Sequence, residues 1–148
     1  MKLIQKIACK ASVLIGAGLL AAVASPAFAD AKVDAAARNV ATAATEVNTV
    51  IAGMNNAAAA KAAQEKLKAA LKKFYAADDA FGAAARQANP KNETEGKAFE
   101  AAMEIYQKAN ESVSDAKVKA MGRPDVAGEL DAAIKATMPK TSPQSNYK

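Results

Sequence analysis

Apolar residues recur along this chain at alternating steps of three and four. The pattern is clearest over residues 60–81, where Ala60, Ala63, Leu67, Ala70, Phe74, Ala77 and Phe81 fall on one line. That repeat is one face of an α-helix. Lys61, Lys66, Lys68, Lys72 and Lys73 lie off the line, so the helix is wet on one side and must bury the other. A matching seam precedes it: Val33, Ala37, Val40, Ala44, Val47, Ile51 and Met54 step strictly by four and three, a heptad pattern. Thr42, Thr45 and Thr49 are weak helix formers, so packing rather than propensity must hold this first helix over residues 30–54.

Two further stripes follow. Phe99, Met103, Tyr106, Val113, Ala116 and Ala120, with Ile105 beside them, give a third helix its inner face. Val126, Leu130, Ala133 and Ile134 give a shorter fourth helix its own. The boundaries carry chemical signals. Gly53, Asn55 and Asn56 end the first helix and start the second. Asn89-Pro90 stops the second near Ala88, because a residue before proline avoids the helical region. Asn92 with Glu95 three later has capping-box spacing, and Thr94 is an equally fair cap. Gly122 closes the third helix, and Pro124 opens the fourth as a first-turn proline. No strand pattern occurs. The expected fold class is all-α: an antiparallel, up-down-up-down, alanine-rich four-helix bundle over residues 30–139, with a mobile tail over 140–148.

The first 29 residues do not fit that pattern. Lys2, Lys6 and Lys10 form a basic start, Val13 to Val23 is an apolar run, and Ala27-Phe28-Ala29 follows the Ser25-Pro26 break. This is the layout of a secretory signal peptide, cleaved between Ala29 and Asp30. The run is shorter than the roughly 20 apolar residues of a membrane span, and no stable membrane insertion is expected after cleavage. A secreted or periplasmic product follows. It retains 119 residues, one domain's worth. The whole chain carries 20 basic and 15 acidic residues. Three of the basic ones leave with the signal, so the mature balance is only +2 and argues against nucleic acid as partner. The single cysteine, Cys9, also leaves, so no disulfide can staple the bundle.

The chain contains no histidine. Together with the loss of Cys9, this removes the usual metal and nucleophile constellations, including the Glu-x-x-His pairs of di-iron bundles. No catalytic, cofactor-binding or metal-ligating residue is assigned, and the expected role is non-enzymatic. Glu100 with Glu104, and Asp78 with Asp79, are paired carboxylates that could hold a hard cation or share a proton; a solvated helix face with Lys97 and Lys108 nearby is the simpler reading. Tyr75 and Tyr106 could bind a ligand or plug the core, and their helical spacing favours the core. Asn92-Glu93-Thr94 and Asn110-Glu111-Ser112 match the glycosylation sequon by chance. The expected partner is an unidentified protein or a small apolar ligand, or a second copy of the chain across an alanine-rich face.

Asn55-Asn56-Ala57-Ala58 with Lys61 to Leu71, and Lys97-Ala98-Phe99 through Asp115-Ala116-Lys117 with Gly122 and the last helix, resemble the periplasmic cytochrome b562 family. The resemblance covers most of the mature chain. It implies a cleaved signal, four antiparallel helices and a haem near one end of the bundle, hence the alternative function of electron transfer. The family's methionine ligand falls near Ala35 here and its histidine ligand around Ser142, so the expected cofactor is none, with haem as the alternative. Met54, Met103, Met121 and Met138 are soft donors that read as core filler.

Secreted protein should therefore begin at Asp30. Intact mass or N-terminal sequencing checks this, and a product retaining Lys2 to Lys10 would overturn both the compartment and the domain boundary.

Overall fold

A computed structural model of the protein describes residues 31–138. The expected signal over 1–29 and tail over 140–148 lie outside the described residues, as does Ser142. Within them the chain forms four α-helices and no strand: α1 (Ala31–Gly53), α2 (Ala57–Gln87), α3 (Glu93–Met121) and α4 (Pro124–Thr137). The protein is all-α, a helical bundle.

Local chemistry explains the breaks. Asn56 leaves the helical region, and its Oδ1 accepts from the Ala59 amide at 2.9 Å, satisfying one orphan donor of α2. Asn92 does the same for Glu95 at 2.9 Å, so Asn92 rather than Thr94 caps α3. The Glu95 carboxylate reaches back to the Lys91 amide at 2.6 Å, one residue earlier than the usual capping box. Arg123 lies between Gly122 and Pro124, and Pro124 starts α4 without a side-chain cap. Inside α1, the hydroxyls of Thr42, Thr45 and Thr49 each donate to the carbonyl four residues back, which lets three weak helix formers sit on the exposed face.

Every residue of the α1 seam is buried, from Val33 to Met54. So are Ala60, Leu67, Ala70, Phe74 and Phe81 of α2, and Val126, Leu130 and Ala133 of α4. These side chains form one core. α1 packs on both α2 and α3, and α4 packs on both α2 and α3. Among the described residues no backbone approach joins α1 to α4 or α2 to α3. The helices thus form a ring in which α2 and α3, though consecutive, stand on a diagonal.

α1 is buried over a wider arc than its stripe because it has two neighbours: Ala43 is buried beside Ala44. Leu71 of α2 is buried for the same reason. On α3 the fully buried residues are Ala102, Ala109, Val113 and Ala120, whereas Phe99, Met103, Ile105, Tyr106 and Ala116 are only half-buried. Small side chains let α1 close in, and the bulky ones sit to the side.

Polar ties fix the ends. The guanidinium of Arg123 donates to the Met54 carbonyl at 2.9 Å and to Asp125 at 3.2 Å, fastening the α3–α4 turn to the end of α1. Gln64 of α2 donates to the Glu129 carbonyl of α4 at 3.0 Å and also meets its carboxylate. The surface ion pairs, such as Glu93–Lys97 and Asp131–Lys135, are exposed and contribute little each.

Replacing Phe74 by Ala should cost roughly 3–5 kcal/mol, the usual range for emptying a buried aromatic site. Lys72→Ala, on the exposed side, should stay within about 0.5 kcal/mol. Denaturant melts of both variants check this, and equal effects would contradict the burial of Phe74.

Candidate functional site

The four helices differ in reach. α4 has 14 residues, about 21 Å, whereas α2 has 31 and α3 has 29, about 47 and 44 Å. α4 starts two residues after α3 ends and meets α2 at Gln64. It is too short to cover the second half of α2 or the first half of α3. Side chains bridge α2 and α3 across the diagonal: Phe81 with Tyr106 in those halves, and Tyr75 with Lys117 toward the end of α3. The rings of Phe81 and Tyr106 stack with centroids 4.1 Å apart and planes 12° from parallel. Phe74 meets Tyr75 edge-on at 5.9 Å. The Lys117 ammonium donates to the Tyr75 hydroxyl at 3.4 Å and lies 5.4 Å from the ring centroid, a cation–π contact.

Asp78 belongs to this opening. One of its carboxylate oxygens, Oδ1, is buried without a hydrogen-bond partner. Burial holds the Tyr106 phenol above its ordinary pKa, the neighbouring Asp78 carboxylate raises it further, and Asn110 draws it back in part. The cause is shared: a phenolate here would lose solvent and face an existing negative charge. Asn110 itself donates to the Tyr106 carbonyl at 3.2 Å.

The paired carboxylates singled out in the sequence do not converge. Asp78 is half-buried and Asp79 exposed, as a 100° step between consecutive helical residues requires. Glu100 and Glu104 are both exposed, and Glu104 is paired with Lys108 at 2.6 Å, which lowers the Glu104 pKa. Tyr75 and Tyr106 are half-buried and hold the opening between α2 and α3. Met54 is fully buried, Met103 half-buried, and Met121 and Met138 are exposed. Ala35, near which the resemblance would put a methionine ligand, is exposed. Among the described residues no group of three or more His, Cys, Asp or Glu side chains is placed to hold a metal ion, and no helix is long and apolar enough to cross a membrane.

A second depression lies between α1 and α3, a groove of about 460 Å³ lined by Asn48, Ile51, Asp115, Ala116, Lys119 and Arg123 among others. Asn48 Nδ2 donates to Ser112 Oγ at 3.1 Å, and that hydroxyl donates to the Ala109 carbonyl at 2.8 Å. Asn48 Oδ1 is buried and unpartnered, an arrangement that costs about 1–3 kcal/mol. Sequence reasoning missed this groove. The available signal was Asn48, a polar residue beside Val47 in an otherwise apolar seam, facing Ser112 of a triplet read only as a chance sequon.

No protein-family model, curated protein or solved structure matches the chain.

The raised Tyr106 pKa has a defined sign. The unfolded chain releases the phenol proton first, so stability from the neutral Tyr106 is full below the ordinary phenol value near 10 and is lost as pH rises through the higher native value. Alkaline titration of phenolate absorbance, read as the difference between the wild-type chain and Tyr106→Phe, should show a midpoint above the ordinary value. Asp78→Asn should bring the midpoint down only in part, because burial is the larger cause. An unchanged midpoint in that variant would separate Asp78 from the site.

Proposed function

We propose that the protein is a secreted or periplasmic, non-enzymatic binding module, cleaved after Ala29, whose four helices run up, down, up and down. Pairings of residues support these directions: Glu46 meets Lys73, Asn48 meets Ser112, Arg123 meets Met54, and Gln64 meets Glu129. With α2 and α3 on the diagonal, α1 and α3 are parallel neighbours, as are α2 and α4.

The observation that carries the reading is the short reach of α4. It leaves Phe99, Met103 and Tyr106 half-covered along one half of α3. The occupant that restores four-helix packing there is an amphipathic helix from a partner protein, laid into the opening by its apolar face. Asp79 and Glu100 are exposed on the same halves of α2 and α3 and take no ion pair among the described residues. They favour a partner helix with basic flanks. The alternative reading is the haem-carrying electron-transfer protein that the family resemblance implies. No described residue position argues for it: Ala35 offers only an exposed methyl group.

Three measurements on the secreted chain test the proposal. An apolar fluorescent dye should bind, and Met103→Glu should abolish that binding while the variant still melts cooperatively. Absence of dye binding to the wild-type chain would overturn the proposal. Sedimentation should show a monomer, and a dimer lost in Met103→Glu would make a second copy, not a partner protein, the occupant. Haemin titration should give no sharp low-spin bands in the reduced spectrum. Such bands at stoichiometric haem, removed by Met54→Ala or Met138→Ala, would replace this reading with electron transfer.

A further inference from the structure

The groove between α1 and α3 lies on a different face from the opening that α4 leaves. On the surface of this bundle, an acidic residue four positions before a lysine closes onto it: Glu93–Lys97 and Glu104–Lys108 at 2.6 Å, and Asp131–Lys135 at 2.7 Å. Asp115 and Lys119 have the same order and spacing on α3, yet among the described residues no ion pair joins them. Both line the groove, and both are exposed. An open carboxylate and an open ammonium therefore stand one helical turn apart, about 6 Å along the axis.

The surroundings extend that polarity. Beyond Lys119 lies Arg123, held in place by the Met54 carbonyl and Asp125. Those two bonds use two of its five N–H donors, so a guanidinium fixed by the Asp125 ion pair still has donors to offer. At the other end, beside Asp115, the wall is the polar pair Asn48 and Ser112. Ile51, Ala116 and Ala120 form an apolar floor between the two ends. A ligand that fits carries a positive amine at one end, a carboxylate at the other and a small apolar middle.

The length of the cationic wall sets its size. Along the helix axis Lys119 lies about 6 Å from Asp115, and Arg123, eight residues on, lies about 12 Å from it. Each added residue of an extended chain lengthens the molecule by about 3.3–3.6 Å, so two or three residues match the groove. We infer that the groove between α1 and α3 binds short zwitterionic peptides, with the terminal amine on Asp115 and the terminal carboxylate on Lys119 and Arg123. Asn48 and Ser112 bound the amine end. The apolar floor accepts small side chains and imposes no further sequence demand.

Calorimetric titration of the full secreted chain with zwitterionic trialanine tests this. Binding is expected. N-acetyl-trialanine and trialanine amide should each bind about fivefold more weakly, the scale of one exposed ion pair. Asp115→Asn should weaken the unmodified peptide by a similar factor and leave the acetylated one unchanged. Lys119→Ala should do the same toward the carboxylate, leaving the amide unchanged. Both residues are exposed, so the variants should melt as the wild-type chain does. No heat with trialanine at millimolar concentration would overturn the inference, as would equal binding of the blocked and unblocked peptides. Neither result bears on the opening beside α4, which Met103→Glu reports separately.

Discussion

The bundle depends on the burial of one helix by two others. α1 carries the most regular apolar seam in the chain, and it is the longer of the two helices that touch both α2 and α3. Those two do not meet through their backbones, so the distance between them is set by what α1 and α4 place in the middle. Among residues 31–138 no cysteine cross-links the helices, and hydrophobic burial is the dominant favourable term. The seam is made of valine and alanine with single Ile51 and Met54. Such side chains lose little rotamer freedom on burial compared with longer ones, and they let helix axes approach.

That dependence accounts for where the molecule is open. A helix pair closes best along small residues, and α3 presents Ala102 and Ala109 to the core while turning Phe99, Met103 and Tyr106 to the flank. Beside α4 the flank is covered. Past Thr137 there is no fourth helix among the described residues, and the Phe81–Tyr106 stack spans the diagonal instead. The unpartnered oxygen of Asp78 and the raised Tyr106 phenol both belong to that half. Packing irregularity and perturbed electrostatics thus share one cause, the shortness of α4.

Much of the fold was legible because its signals are local. Strict steps of three and four placed the α1 seam residue by residue, and Asn56, Asn92 and Pro124 marked helix starts through their own side-chain or ring chemistry. What could not be read was which neighbour each helix would have. Ala43 and Leu71 are buried because their helices have contacts on two sides, a property of the ring order rather than of either segment. Phe99 and Met103 looked like core by size, yet their burial is partial because α4 ends early. The groove at Asn48 and Ser112 joins residues 64 apart in sequence, and no periodicity within either helix announces such a meeting.

Arg123 has a consequence for the order in which the molecule assembles. α1 has no basic residue in its last turn and ends at Gly53, so nothing local offsets the partial negative charge of its terminal carbonyls. The compensating cation arrives from 69 residues away, on the turn after α3. The last turn of α1 therefore gains this partner only when the turn after α3 is in place. The terminus of the first helix thus draws its balancing charge from the second half of the chain, a contribution of about 0.3–1 kcal/mol on the scale of exposed helix-end charges.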